Sequence, residues 1–308
     1  MLKALVFPGQ GSQSIGMGKD LYDAFPVAKE VFEEVDDALN FKLSDVIFNG
    51  SAEDLTATQN AQPALMTMSM AVWRVLQNQA GLKINDFSYA AGHSLGEYSA
   101  LCAVESLSLA DTARLLQKRG LAMARAAEKQ KGSMAAIIGM DTDSVYCLAK
   151  QTDTFVANDN SIGQIVISGS VENIEKACLK AKEMGAKRAL PLNVAGAFHS
   201  PLMQSAADEM KDVLNEVSFK KPIIPVISNV LAQPVTDANL IKELLYKQIT
   251  GQVRWTETIQ WLNEQGIGEI IEAGAGKVLN GLIKRTLPDM QIFSINDVLS
   301  LEEFKKTI

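Results

Sequence analysis

A chain of 308 residues is long enough to bury a sizeable core, either as one large domain or as a large domain with a small one. Its 47% hydrophobic and 21% charged content is that of a soluble globular protein, and a formal net charge of −7 argues against a general nucleic-acid binder. Cys102, Cys147 and Cys178 read as reduced thiols rather than a disulfide framework, and no Cys-x-x-Cys or His-Glu-x-x-His spacing supports a metal site.

Residues 2–7 form a short buried strand, closed by Pro8-Gly9-Gln10-Gly11-Ser12-Gln13. That apolar run is too short for a signal-peptide core, and no stretch of 18 apolar residues exists to span a membrane, so the expected setting is the cytoplasm. Helical periodicity covers 19–39 and 63–78, with Pro63 suited to a first helical turn. Tyr89-Ala90-Ala91 is a short strand, followed by Gly92-His93-Ser94-Leu95-Gly96 and a helix from Glu97 onward. Another helix covers about 108–125. Strands alternating with helices predict a mainly parallel sheet.

The pattern changes between 132 and 194. A strand at 134–138 is followed by a helix over 141–150 that opens on Asp/Thr capping residues. Strands at 155–157 and 164–168 flank the turn-rich link 158–163, and an amphipathic helix over 172–184 leads to a strand at 187–192. The order β-α-β-β-α-β is the ferredoxin-like arrangement. It predicts a small domain at 127–196 inserted into a larger one made of 1–126 and 197–308. There, residues 223–228 are strand-like, although Pro225 argues for an edge or a bulge. Helices at 238–249, 256–265 and 277–285 and strands at 269–272 and 292–294 complete the larger domain.

Gly92-His93-Ser94-Leu95-Gly96 has the form Gly-x-Ser-x-Gly, which arises by chance roughly 0.1 times in a chain this long. Its flanking strand and helix make the match specific. A strand that turns sharply into a helix holds a serine hydroxyl at the sheet edge, and glycines leave room for the turn. The helix N-terminus then offers N–H groups and positive partial charge to an oxyanion. A nucleophilic serine needs a base, and the chain has only two histidines. His93 adjoins Ser94, so its side chain points away from the hydroxyl; His199 is the remaining candidate. No acidic residue stands out to orient it, and more than 100 residues follow it, unlike an ordinary lipase or esterase. Gly274-Ala275-Gly276-Lys277-Val278 lacks the early glycine and the Ser/Thr of a phosphate loop.

Phe7-Pro8-Gly9-Gln10-Gly11-Ser12-Gln13, Gly92-His93-Ser94-Leu95-Gly96-Glu97-Tyr98 and Ala197-Phe198-His199-Ser200 closely resemble malonyl-CoA:acyl carrier protein transacylases. Gln59-Asn60-Ala61-Gln62-Pro63-Ala64, Lys118-Arg119-Gly120, Gly132-Ser133-Met134-Ala135-Ala136 and Gly276-Lys277-Val278-Leu279 fit as well, in order over nearly the whole chain. The resemblance implies an α/β fold with an α/β-hydrolase-like core and a ferredoxin-like insert. It implies that Ser94 takes the malonyl group from malonyl-CoA and passes it to the phosphopantetheine thiol of acyl carrier protein. His199 handles the proton in both halves of a ping-pong reaction. It assigns the oxyanion hole to the N–H groups of Gln10 and Leu95, and the orienting acceptor for His199 to the main-chain carbonyl of Gln248.

Arg119, by the same resemblance, holds the malonyl carboxylate with two parallel hydrogen bonds, and removing an arginine paired with a desolvated carboxylate costs on the order of 2–5 kcal/mol in transition-state binding. Phe198 leaves little space for an α-methyl group, and Gln62 and Asn160 stand near the substrate. No cofactor or metal is expected, and the expected state is a monomer with neither membrane nor nucleic-acid partner. Lys187-Arg188 and Lys284-Arg285 are the candidate contacts for an acidic carrier. A free-standing chain favours fatty-acid over polyketide synthesis. Serine thioesterase or esterase, polyketide-type acyltransferase and inactive scaffold are the competing readings.

Overall fold

Alternate residues of the first strand feed two different cores, and this decides the architecture. The computed structural model describes residues 1–308, with eleven strands in two sheets. In chain order they are β1 (Leu2–Phe7), β2 (Tyr89–Gly92), β3 (Ser133–Ile138), β4 (Phe155–Ser161), β5 (Gln164–Gly169), β6 (Arg188–Pro191), β7 (Val226–Ile227), β8 (Pro234–Val235), β9 (Val253–Arg254), β10 (Ile267–Ala273) and β11 (Gln291–Ile295). The larger sheet has the order β11-β10-β1-β2-β7-β8 and is parallel except where β8 joins β7. Leu5, Phe7, Ala90 and Ile271 point into one core; Ala4, Val6, Ala91 and Ile270 point into another. A parallel strand covered on both faces must be apolar on both, as this run is.

The second sheet has the order β6-β3-β5-β4-β9. Its first four strands pair antiparallel and, with helices Thr142–Gln151 and Val171–Glu183, follow the expected β-α-β-β-α-β order. Ile137, Ile165 and Ile167 pack with Val145, Leu148 and Ile174 in a core of their own. Asp141 and Ser170 cap the two helices through Ser144 N–H and Asn173 N–H. The fifth strand was not foreseen. β9 comes from the later part of the chain and pairs parallel to β4, so this sheet is not built from 127–196 alone.

Several boundaries differ from the sequence reading. The helix expected over 19–39 is two, Lys19–Ala24 and Pro26–Leu39, because Phe25 before the proline is extended (φ −129°, ψ 116°). Helix Thr58–Gln79 starts five residues before Pro63, which is therefore inside the helix. Burial of most of this helix against Leu109–Lys129 outweighs the lost hydrogen bond. Asn158, Asp159 and Asn160 belong to β4 instead of a turn, since Asn158 and Asp159 pair with strands on both sides and Asn160 sits in a register shift before Ser161 rejoins β5; only Ile162 and Gly163 turn. The strand expected over 223–228 shrinks to Val226–Ile227, although the Pro225 carbonyl still accepts from Ala90 N–H at 3.0 Å. A C-terminal helix, Val298–Lys305, capped by Asp297, was not anticipated.

Candidate active site

The end of β2 and the start of helix Gly96–Ala103 are so close that side chains cannot fit between them. A Cβ on Gly92 would lie 1.9 Å from the Gly96 carbonyl oxygen, and one on Gly96 would lie 2.3 Å from that of Phe7. Between these glycines Ser94 takes a left-handed backbone conformation, φ +53°. The strain is braced by Asn229, whose Oδ1 accepts from Ser94 N–H at 2.7 Å and whose Nδ2 donates to the Gly92 carbonyl at 2.7 Å.

His199 lies in the loop after β6, also at positive φ, +55°. Its Nε2 is 2.8 Å from Ser94 Oγ, and its Nδ1 is 2.9 Å from the Gln248 carbonyl and 3.2 Å from that of Gly251. A carbonyl only accepts, so Nδ1 carries the proton and Nε2 turns its lone pair to the hydroxyl. Burial, followed by the nearby Arg119 charge, lowers the His199 pKa to about 3, against the raising effect of the Gln248 carbonyl. The ring is a neutral acceptor at ordinary pH. No carboxylate touches it: two main-chain carbonyls do the orienting.

Arg119, on helix Leu109–Lys129, is only 1% exposed. It donates from Nη1 to Gln62 Oε1 at 2.6 Å, and from Nη2 to Gln248 Oε1 at 2.9 Å and Ser94 Oγ at 3.2 Å. Its carbon centre lies 5.6 Å from the Tyr98 ring centroid, and its Nε has no acceptor. None of the ion pairs in the molecule includes it. A guanidinium stays charged when buried, so this one is a buried cation without a carboxylate in contact.

Ser94, Arg119 and His199 line one cavity of about 350 Å³, with Gln10, His93 and Asn160 on its polar side and Met123, Met134, Val166 and Phe198 on its apolar side. A second cavity of about 500 Å³ shares Gln10, Thr56, Asn193 and Val194 with it. Neither Gln10 N–H nor Leu95 N–H finds an acceptor within the protein. His93 points away from Ser94, as expected, and its Nε2 meets Asn160 Oδ1 at 2.7 Å. Gln62 does not line the cavity; it lies behind Arg119 and holds it. Lys187, Arg188, Lys284 and Arg285 are exposed and outside the cavity. At the 274–278 loop, the helix start that a phosphate would need is taken by Glu272, which accepts from Leu279 and Asn280 N–H.

Two residues were missed by sequence reasoning. Glu97 is 2% exposed and accepts from Gln248 Nε2 at 2.7 Å and from Asn229 N–H at 3.1 Å. The only signal for it was its place in the elbow motif; for Asn229 there was none.

Residues 4–301 match the model of the acyl transferase domain family. A Bacillus subtilis protein named malonyl CoA-acyl carrier protein transacylase is 46% identical over 307 residues, covering 97% of this chain and 95% of its own. The chain belongs to the malonyl CoA-acyl carrier protein transacylase family. Solved structures of this transacylase family superimpose closely. An acyl-carrier-protein-S-malonyltransferase from Bartonella henselae has 49% identity and a TM-score of 0.96, covering 100% of this chain and 99% of its own. A malonyl-transacylase in complex with its type II PKS acyl-carrier protein has 40% identity and a TM-score of 0.96, with both chains covered in full. The chain is thus an acyltransferase with a mixed α/β fold.

Proposed function

We propose that this acyltransferase moves a malonyl group from malonyl-CoA to the phosphopantetheine thiol of acyl carrier protein, by way of a malonyl ester on Ser94. The observation that carries the reading is the convergence of His199 Nε2 and Arg119 Nη2 on one hydroxyl, at 2.8 Å and 3.2 Å. Ser94 Oγ bonds to the thioester carbonyl carbon as His199 takes its proton, and the tetrahedral oxyanion forms. Its collapse breaks the C–S bond, and His199 returns the proton to the departing CoA sulfur. In the second half, His199 takes the proton of the carrier thiol, the sulfur attacks the ester, and the proton goes back to Ser94 Oγ.

The free N–H groups of Gln10 and Leu95 are the donors assigned to the oxyanion. Arg119 is assigned the malonyl carboxylate, Phe198 the wall against α-substituents, and the cavity sharing Gln10 and Thr56 the pantetheine arm. Asn160 keeps a place at the cavity edge, whereas Gln62 acts through Arg119. No cofactor takes part in these steps. The relative bound to an acyl-carrier protein supports the second substrate, and the basic pairs at 187–188 and 284–285 stay candidates for docking it. The finer architecture fits an α/β-hydrolase-like core (1–126, 197–308) with a ferredoxin-like insert (127–196). We assign a cytoplasmic monomer serving fatty-acid synthesis; no helix is long and apolar enough to cross a membrane.

The test is intact mass after mixing with malonyl-CoA, with and without carrier protein. The expected result is a malonyl adduct that Ser94→Ala abolishes and carrier protein discharges. Rapid release of free malonate without an acceptor would identify a hydrolase, and no adduct would identify a scaffold.

A further inference from the structure

The two charged side chains buried deepest at this site never touch. Glu97 and Arg119 are 2% and 1% exposed, and between them lies the side-chain amide of Gln248. Its Nε2 donates to Glu97 Oε2 at 2.7 Å, while its Oε1 accepts from Arg119 Nη2 at 2.9 Å. The two ends of an amide are nearly the same size, so shape alone leaves both orientations open. A carboxylate offers only acceptors and a guanidinium only donors. Turned over, the amide would set NH₂ against guanidinium and carbonyl against carboxylate.

We propose that Glu97 is a positioning residue for malonyl recognition: its carboxylate fixes the Gln248 amide, which holds Arg119 in place while leaving the guanidinium free of any carboxylate in contact. The inference rests on the malonyl-transfer reading. A glutamate directly against Arg119 would form a bidentate pair and occupy the donors that the substrate needs. One amide further away, it offsets the buried positive charge, and the guanidinium meets only neutral acceptors, on Gln62, Gln248 and Ser94, which a carboxylate can displace. Glu97 Oε2 also accepts from Asn229 N–H at 3.1 Å, and Asn229 braces Ser94 and Gly92 through its side chain. The bond from Asn229 N–H needs only an acceptor oxygen, which Glu97→Gln also offers, so the Asn229 brace on the serine elbow does not depend on the charge. Burial raises the Glu97 pKa to about 7, while Gln248, Asn229 and Arg119 pull it the other way.

The test measures Ser94 acylation by malonyl-CoA and by acetyl-CoA, using intact mass of the full chain. Glu97→Gln keeps the shape and removes the charge. Its malonyl-over-acetyl preference should fall on the order of tenfold, the scale of coupling between hydrogen-bonded neighbours. Reaction of Ser94 with phenylmethylsulfonyl fluoride, which has no carboxylate, should stay within about twofold of the parent. Adding Glu97→Gln to Arg119→Ala should cost no further malonyl preference. Gln248→Met removes the amide link but keeps the main-chain carbonyl that orients His199; it should reproduce the loss, and it replaces Glu97→Gln should that variant not fold. Equal losses for all three reagents, or an unchanged preference, would reduce Glu97 to a structural role and overturn the proposal. A parent chain that forms no malonyl adduct removes the transfer reading itself, and this inference with it.

Discussion

Of the six non-glycine residues with positive φ, two are Ser94 and His199, the pair whose side chains meet at 2.8 Å. Both backbones are held in a conformation that an L-residue avoids, and surrounding hydrogen bonds keep them there. For His199 the same enclosure sets its protonation. Its pKa is lowered from 6.5 to about 3 by burial first and the Arg119 charge second, and burial lowers that of His93 as well. Below pH 6.5 the unfolded chain gains protons that the folded chain refuses, so both histidines cost stability as pH falls below 6.5, His199 down to about 3. Glu97, raised from 4.5 to about 7, works the other way, contributing most below 4.5 and losing that contribution as pH rises through 7. A comparison that keeps Glu97 isolates His199: between pH 6.5 and 5, the parent should lose about 1–2 kcal/mol more than His199→Asn. Urea denaturation at the two pH values measures this, and parallel losses would mean that the ring titrates normally.

The elbow is the element on which the site depends, and its glycines are set by distance. At Gly92 an added methyl would meet the backbone, Gly96 O at 1.9 Å and Glu97 N at 2.5 Å, which no side-chain movement relieves. Gly92→Ala should therefore destabilise the fold by about 2–3 kcal/mol, the upper range for overpacking, and slow Ser94 acylation with it. Thermal or chemical denaturation checks the first and intact mass the second; a neutral substitution would show that β2 and the helix can separate. This element was legible in the sequence because its requirement is local: small residues flanking a serine between an apolar strand and a helix. Pro63 was misread for the opposite reason. Its local preference is for a helix start, but Ala61, Gln62, Ala64 and Leu65 around it are all fully buried, and packing sets the helix boundary.

At the scale of the whole molecule, the cavity lies where the two sheets meet, so its shape depends on how they are joined. β9 pairs with β4, Asn160 meets His93, and Thr256 Oγ1 donates to Asp159 Oδ1 at 2.6 Å. Asp159 is 5% exposed, and burial raises its pKa against the lowering effect of Thr256. Thr256→Val leaves that carboxylate short of a donor and should cost about 1–3 kcal/mol, with unfolding still in one transition. Two separated transitions in calorimetry would show that the sheets are independent units. Read alone, the chain determined what depends on neighbours in sequence: the order of most strands and helices, the β-α-β-β-α-β stretch, the elbow and the candidate pair Ser94 and His199. The carbonyl of Gln248 and the role proposed for Arg119 were reachable only through family resemblance, because neither residue carries a local sign of such a task. Glu97 and Asn229, and the strand that β9 adds, were decided by tertiary structure. The contacts that define them join residues 95 to 151 positions apart, as in Asn158 with Val253, Glu97 with Asn229 and Glu97 with Gln248, and no periodicity along the chain encodes such a meeting.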